Sequence, residues 1–131
     1  QQNIAIILPL VTKELIPLAQ HKGTFTKAGV KLPVTPAASL EIANNKSRLY
    51  EFLQWRGIAV PGFRVIETVA QFKEAVVELG YPGNPVCFKP SISNGSRGFR
   101  LISAQMNDTD PLFNHKPPSV YISLRESVRI L

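Results

Sequence analysis

Lys89 occupies a position in the sequence where a charged side chain could meet a phosphate. It directly follows an apolar run and precedes a short polar segment, and a second apolar run begins at Phe99. Gly95 and Gly98 in the polar segment permit backbone geometries that are closed to other residues, so amide N–H groups can point towards an anion. Lys89 and Arg97 add positive charge. These residue types at this spacing have the chemistry needed to hold the phosphates of a nucleotide.

The same segment also fits a simpler interpretation. Glycine and serine between two strands commonly form only a hairpin turn, and Ser91, Ser93 and Ser96 are residues that turns favour. The segment matches neither the Walker A sequence nor the dinucleotide-binding fingerprint. The loop alone therefore leaves both interpretations open.

A β-hairpin is the element that would position this loop. The two apolar runs predict strands at 86–89 and 99–103, with the polar segment as their connection. Cys87 lies in the first of these strands, and we expect it to be an inert residue of a buried strand rather than a reactive thiol.

Two capping boxes predict helices on either side of the hairpin. Thr68 and Gln71 have the required spacing and open a helix that Gly80 ends. Ser123 and Glu126 have the same spacing and open a last helix. The residues at 104–118 are polar and include prolines, so they are expected to form a surface loop.

The first half of the chain predicts further strands and helices. The residues at 4–8 are apolar without alternation, which is typical of a buried parallel strand. Thr12 is expected to cap a short helix that Pro17 ends or kinks. The residues at 46–56 predict a longer amphipathic helix, and those at 63–66 a short strand.

The composition is that of an ordinary globular protein. The 131 residues are 44% hydrophobic and 18% charged, which argues against disorder. No apolar stretch is long enough to cross a bilayer, so we expect no membrane partner. The run at 4–8 lacks the flanks of a signal peptide, and the single cysteine excludes an internal disulfide. We therefore expect a cytoplasmic protein.

The chain is basic, with a net charge of +6 and a sequence pI near 9.8. The basic residues are spread along the chain without a run of five or six. We find no interleaving of aromatic and basic residues of the kind that marks a single-strand binding platform. Nucleic acid is therefore not the expected partner.

Four segments together resemble the ATP-grasp superfamily, and within it the large subunit of carbamoyl-phosphate synthase and its stand-alone relatives. In chain order they are Asn45-Lys46, Gly57-Ile58-Ala59-Val60-Pro61, Phe88-Lys89-Pro90 and Gly95-Ser96-Arg97-Gly98. The segment at 12–19 also resembles the end of the Rossmann-like domain that precedes ATP-grasp domains. The resemblance covers nearly the whole chain and depends on the combination and order of the motifs.

The resemblance implies an α/β (α+β) fold with two domains. Residues 1–43 would be the C-terminal part of a Rossmann-like pre-ATP-grasp domain, and residues 44–131 the N-terminal ATP-grasp subdomain with its phosphate-covering loop. The implied ligand is ATP, and the implied enzyme is a ligase that activates a carboxylate as an acyl phosphate for attack by an amine or ammonia. The residues matched to nucleotide-binding positions are Lys46, Lys89, Ser91, Asn94, Gly95, Ser96, Arg97 and Gly98.

The sequence departs from the family pattern in two places. Asn45 stands where the family often has an acidic residue before its first lysine. The magnesium-binding half of the family is not matched, because Asp108 and Asp110 lie in a polar loop and lack the setting of a magnesium site. We therefore expect an internal fragment of a longer enzyme, in which the missing half binds magnesium and a small carboxylate. The fragment should bind ATP weakly and turn over nothing, and its sequence identifies no catalytic residue.

Two other functions remain open at this point. The positive charge could serve a basic nucleic-acid-binding module. The chain could also be a non-catalytic α/β interaction domain in which the loop is only a turn. An incomplete domain also predicts self-association, because unpaired strand edges and half-covered helices would be exposed.

Overall fold

The computed structural model describes residues 3–93, 95, 97–104 and 121–130. Within them the chain divides into two compact units, one up to Ile58 and one from Ala59 onwards. The helices and strands of this part of the chain are α1 (Thr12–Gln20), α2 (Lys22–Lys27), α3 (Ala37–Ala43), α4 (Lys46–Trp55), α5 (Val69–Glu78), β1 (Val86–Phe88), β2 (Arg100–Ile102), β3 (Tyr121–Ile122) and α6 (Leu124–Ile130). Helices combined with a small sheet agree with the α+β class in coarse terms. The assignment of residues 1–43 and 44–131 to two named domains stays a prediction.

The first unit has its own small apolar core. Leu32, Val34 and Leu40 are each less than a tenth exposed. Helix α1 packs against α3, and α3 packs against α4. The half-buried apolar side chains around this core are Ile7, Leu15, Ile16, Leu18, Ala19 and Phe25.

The residues at 4–8 form no strand in the structure, only one isolated parallel bridge, and most of them are not buried. Ile6 forms a parallel bridge with Lys31, in which the Ile7 amide donates a hydrogen bond of 3.0 Å to the Lys31 carbonyl. Only Ile7 contributes to the core described above. The other apolar residues of this segment are largely exposed: Ile4 by 55%, Ile6 by 54% and Leu8 by 66%. Because alternate side chains point to opposite faces, one face of this segment packs and the other stays open among the described residues.

The expected cap at Thr12 and the expected end of α1 at Pro17 are both wrong. Thr12 lies inside the helix and Val11 is the N-cap residue, with no side-chain cap. The helix also continues through Pro17 as far as Gln20. Proline removes one helical hydrogen bond, but the residues on both sides of Pro17 pack against the core and keep the helix intact.

The second unit is built on the helix and hairpin that the sequence predicts. Thr68 caps α5 and forms the full capping box with Gln71. Phe72, Val76 and Ile102 are almost completely buried. The half-buried residues packed on this core are Ile66, Leu79, Tyr81, Phe88, Ile122, Leu124 and Val128.

The sheet of the second unit has the order β1-β2-β3. β1 and β2 are antiparallel with Phe88 opposite Arg100, so the predicted hairpin is confirmed. β3 adds a parallel neighbour to β2. Cys87 is exposed, which corrects the expectation of a buried strand residue. Val86 and Phe88 pack on the core, whereas Cys87 between them lies on the opposite face of the strand, because successive side chains of a strand alternate between its two faces.

Two further predictions from the sequence concern residues of the second unit. The residues at 63–66 form no strand in the structure. The second capping box is present, since the Glu126 amide donates to the Ser123 hydroxyl at 3.2 Å and the Ser123 amide donates to the Glu126 carboxylate at 3.0 Å. Most of the predicted surface loop at 104–118 lies outside the described residues.

Candidate functional site

Strand β1 fixes the backbone from which Lys89 projects. Phe88, the last residue of the strand, packs its ring edge-on against Phe72 of the core, with the ring centroids 5.6 Å apart. Lys89 follows directly and is exposed. The exposed Lys89 therefore directly follows an aromatic residue that packs on the core of the second unit.

The loop after Lys89 closes on itself through a glycine. Gly98 has a φ of +77°, and a Cβ added there would lie only 2.7 Å from Cγ and 2.9 Å from Cδ of Pro90. The end of the loop therefore contacts its beginning, next to Lys89. Gly95 has a φ of +62° but nothing within 4 Å of a built Cβ. Both glycines adopt the left-handed conformation that the sequence interpretation expected them to make available.

The polar residues of the loop differ in exposure. Ser91 is half-buried, whereas Arg97 is exposed. Arg100 donates from its guanidinium to the Phe99 carbonyl at 2.8 Å and is half-buried, so its side chain is engaged beside strand β2. Two of the predicted site residues, Asn94 and Ser96, lie outside the described residues.

Lys46 belongs to the first unit, where its neighbours are those of α4. It is the first residue of α4 and is half-buried. Asn45 caps this helix, since its side-chain oxygen accepts from the Arg48 amide at 3.2 Å and from the Ser47 hydroxyl at 3.1 Å. Asparagine thus supplies the cap that an acidic residue would supply at this position. In the second unit, Gly98 contacts Pro90, the residue after Lys89. A shared site of Lys46 with the loop residues stays a prediction.

Two carboxylates of the second unit have a pKa that is lowered by a residue they contact. A hydrogen bond from Arg64 lowers the pKa of Glu78, and the same contact raises the pKa of Arg64. The backbone amide of Ser123 lowers the pKa of Glu126, with help from the Ser123 hydroxyl. A lowered pKa makes a carboxylate a weaker base. Neither residue therefore has the properties of a general base at neutral pH.

The described residues contain no group of three or more His, Cys, Asp or Glu side chains that could hold a metal ion. Magnesium requires several converging oxygens, so we assign no magnesium ligand in this part of the chain. Asp108 and Asp110 lie outside it. Within the same part of the chain, no helix is long and apolar enough to cross a membrane.

The contribution of Pro90 to the loop was not predicted from the sequence. Its ring supplies the surface against which Gly98 packs. The eight-residue separation of the two gives no local signal, because the contact depends on how the whole loop folds back. A lysine–proline pair at a strand end followed by a late glycine is the only hint that the sequence offers.

No family model matches the chain. A search of curated proteins finds 36% identity over 70 residues with the uncharacterized protein y4rH of Sinorhizobium fredii, covering 53% of this chain and 14% of that protein. It also finds 29% identity over 75 residues with the carbamoyl phosphate synthase large chain of Mycobacterium tuberculosis, covering 57% of this chain and 6% of that protein. The same match occurs with the large chain of Mycobacterium bovis. The chain thus spans a small part of the curated relatives it matches and is distantly similar to a region of the carbamoyl phosphate synthase large chain.

Proposed function

We propose that the chain is a phosphate-binding part of an ATP-dependent ligase similar to carbamoyl phosphate synthase. In this proposal Lys89 and the loop at 90–98 bind the phosphates of ATP. The parent enzyme would phosphorylate a small carboxylate to an acyl phosphate, which an amine or ammonia then attacks. The chain alone would bind ATP weakly and catalyse no turnover, and its parent would require magnesium bound by residues outside this chain.

The observation that carries the proposal is the loop that starts at Lys89 and is closed by Gly98 on Pro90. The hairpin connection holds two left-handed glycines, an exposed lysine and an exposed arginine on one short segment. Left-handed backbone positions can turn successive amide groups into a concave anion-binding surface. Lysine is a common point-charge partner for phosphate. A plain turn would explain the glycines but not the lysine at the strand end.

The sequence similarity gives the proposal its reaction class. The matched curated proteins include the large chain of carbamoyl phosphate synthase, and the order of motifs in this chain resembles ATP-grasp ligases. Lys46, at the capped start of α4, would provide a further contact to the nucleotide. Ser91, Asn94 and Ser96 would add hydroxyl and amide groups along the same loop.

The test is a titration of the ¹⁵N-labelled chain with ATP, with and without magnesium, followed by chemical shifts. We expect the largest shifts at Lys89 and at Gly95–Gly98. Lys89→Ala should weaken ATP binding about tenfold or more, the usual loss for a hydrogen bond to a charged group. Lys73→Ala is the matched control, because Lys73 is an exposed lysine on α5 in the same unit.

The outcomes separate the proposal from its alternatives. Equal ATP affinity of the Lys89 and Lys73 variants would contradict the role of Lys89. Shifts spread over all basic residues, with a steep salt dependence shared by oligonucleotides, would indicate the basic nucleic-acid-binding module instead. A folded chain that shows no shift with millimolar ATP, and whose parent enzyme keeps its ATP affinity after Lys89→Ala, would indicate an interaction domain with an ordinary turn.

A further inference from the structure

The segment at 4–8 has one paired backbone edge and one open backbone edge. The Lys31 amide donates to the Ala5 carbonyl at 2.8 Å, and the Ile7 amide donates to the Lys31 carbonyl at 3.0 Å. The backbone groups of successive residues in an extended segment point to opposite edges. The amide and carbonyl of Ile6 therefore point away from Lys31, and no backbone group in the part of the chain that the structure describes bonds to them.

The side chains along this open edge are apolar and largely exposed. They belong to Ile4, Ile6 and Leu8, which share one face because alternate side chains of an extended segment do so. The segment at 4–8 contains no charged residue and no proline. Natural sheets protect an open edge with charges, prolines or bulges, because its unpaired backbone groups bind other strands. The segment at 4–8 has no charge or proline of this kind.

The edge strand of the second unit carries the residue types that the segment at 4–8 lacks. β1 is preceded by Pro85 and followed by Lys89 and Pro90. Proline cannot donate a backbone hydrogen bond to a neighbouring strand, and lysine on an edge opposes pairing with an apolar strand. An incoming strand therefore meets less opposition at 4–8 than at β1.

Unpaired backbone groups at every second residue require an extended strand as their partner. A second copy of the same segment meets this requirement in one register. When two copies pair antiparallel about a twofold axis at Ile6, Ile6 lies opposite Ile6 of the second copy, and Ile4 lies opposite Leu8. Each outward amide then meets an outward carbonyl, and each apolar side chain meets another. A shifted register leaves at least one of these three residues without a partner in the segment.

We propose that the segment at 4–8 joins a second copy of this chain through this antiparallel pairing about Ile6. The product is one continuous sheet, with the residues around Lys31 of each copy on its outer side. The segment brings no charge to the axis, so the pairing has no electrostatic cost there. This inference does not depend on ATP binding and goes beyond the proposed function. It assigns the general expectation of self-association to a defined edge and register.

The expected dimer is weak, because a short pair of strands buries less surface than a standard stable interface. Association should therefore increase with protein concentration. Sedimentation velocity of the full chain from micromolar to millimolar concentration should show the mass rising from that of a monomer to that of a dimer. A monomer at every concentration would overturn the proposal.

Hydrogen exchange of individual amides identifies the edge that pairs. The Ile6 amide acquires a backbone acceptor in the dimer, whereas the Ile7 amide already donates to the Lys31 carbonyl within one copy. We expect exchange at Ile6 to slow as the dimer forms, and exchange at Ile7 to change less. A dimer that leaves exchange at Ile6 unaltered would show that another surface is responsible.

Substitutions at Ile6 test the position of the twofold axis. Ile6→Lys and Ile6→Glu should each weaken the dimer about tenfold or more, because two like charges would face each other across the axis. A mixture of the two variants brings opposite charges face to face and should associate more tightly than either variant alone. Leu10→Lys is the matched control, since Leu10 is 91% exposed and lies beyond Pro9, outside the paired segment.

The mixture also separates a lost contact from a lost fold. Two chains that had each unfolded would not recover their association on mixing. A mixture that associates no better than the separate variants would contradict pairing about Ile6. Growth beyond a dimer would contradict it as well, because pairing about a twofold axis occupies this edge in both copies.

Discussion

Gly98 and Pro90 are in such close contact that no side chain fits between them. A Cβ on Gly98 would lie 2.7 Å from Cγ of the proline ring, closer than real Cβ atoms approach another heavy atom. The two residues lie near the two ends of the segment between β1 and β2, so their contact brings those ends together beside Lys89. Glycine is required at residue 98 for two independent reasons, the backbone angle and the space.

Gly98→Ala should destabilise the second unit by about 2–3 kcal/mol, because an unfavourable backbone conformation and a steric clash both act. Gly95→Ala is the control, since Gly95 has a similar φ but open space around it. Its cost should be about 1 kcal/mol. Urea denaturation of the two variants measures the difference. Equal losses would mean that the proline contact contributes nothing.

Ile102→Ala should destabilise the second unit by about 2–5 kcal/mol, the usual result of a cavity in a core. Ile102 has no exposed surface and packs with Phe72, Val76 and Val86. Ile92→Ala is the matched control, because Ile92 is 72% exposed. We expect that change to stay within about 0.5 kcal/mol. Thermal or urea unfolding would compare the two, and similar losses would contradict the assigned core.

Thr68→Ala should cost about 1 kcal/mol of stability, because it removes the side-chain cap of α5. The Thr68 hydroxyl accepts from the Gln71 amide at 3.2 Å. Thr12→Ala removes a threonine that makes no cap at the start of α1. That substitution should be neutral or slightly stabilising, since alanine has the higher helix propensity. The opposite ranking in denaturation experiments would contradict the cap assignment.

The helix α6 should lose stability in acid because of Glu126. Its pKa is lowered in the folded chain by the Ser123 amide and hydroxyl. A lowered folded-state pKa means that the stabilisation is fully present above the unfolded-state pKa, near pH 4, and is lost as the pH falls through the folded-state pKa. Glu126→Gln should flatten this part of the pH dependence.

Arg64 lowers the pKa of Glu78, so the stabilisation from this pair should also be lost in acid. Some acid sensitivity should therefore remain in the Glu126→Gln variant. Circular dichroism between pH 2 and pH 7, roughly the range in which carboxylates titrate, would measure both. A Glu126→Gln chain with the unaltered profile would show that the capping box does not contribute to acid stability.

Local signals in the sequence predict the second unit well. Thr68 and Gln71 need only each other to form a capping box, and the hairpin requires only two apolar runs with a turn between them. The expectation for Cys87 is wrong because an apolar run does not reveal which face of its strand the rest of the fold covers. Here the core covers the face of Val86 and Phe88, and Cys87 lies on the other.

The other wrong predictions also depend on tertiary contacts, which local residue propensities do not describe. The apolar residues at 4–8 match a buried strand, but burial requires covering elements on both faces, which the pattern cannot supply. Pro17 is expected to end or kink α1 because the cost of a proline in a helix is local. The helix does not end there, because its neighbours Ile16 and Leu18 pack on the core of the first unit. For the candidate site, the sequence identifies Lys89 and the glycines, but not the closure on Pro90.

Because of the order of the strands, backbone amide protons in different parts of the second unit should exchange with solvent at different rates. β2 is the middle strand, so its backbone pairs on both sides, and it carries the fully buried Ile102. Amides of such a strand exchange with solvent only when the whole unit opens. Native-state hydrogen exchange at Leu101 and Ile102 would therefore report the global unfolding of the second unit. Exchange at Gly95 and Arg97, in the exposed segment between the strands, would report only local opening.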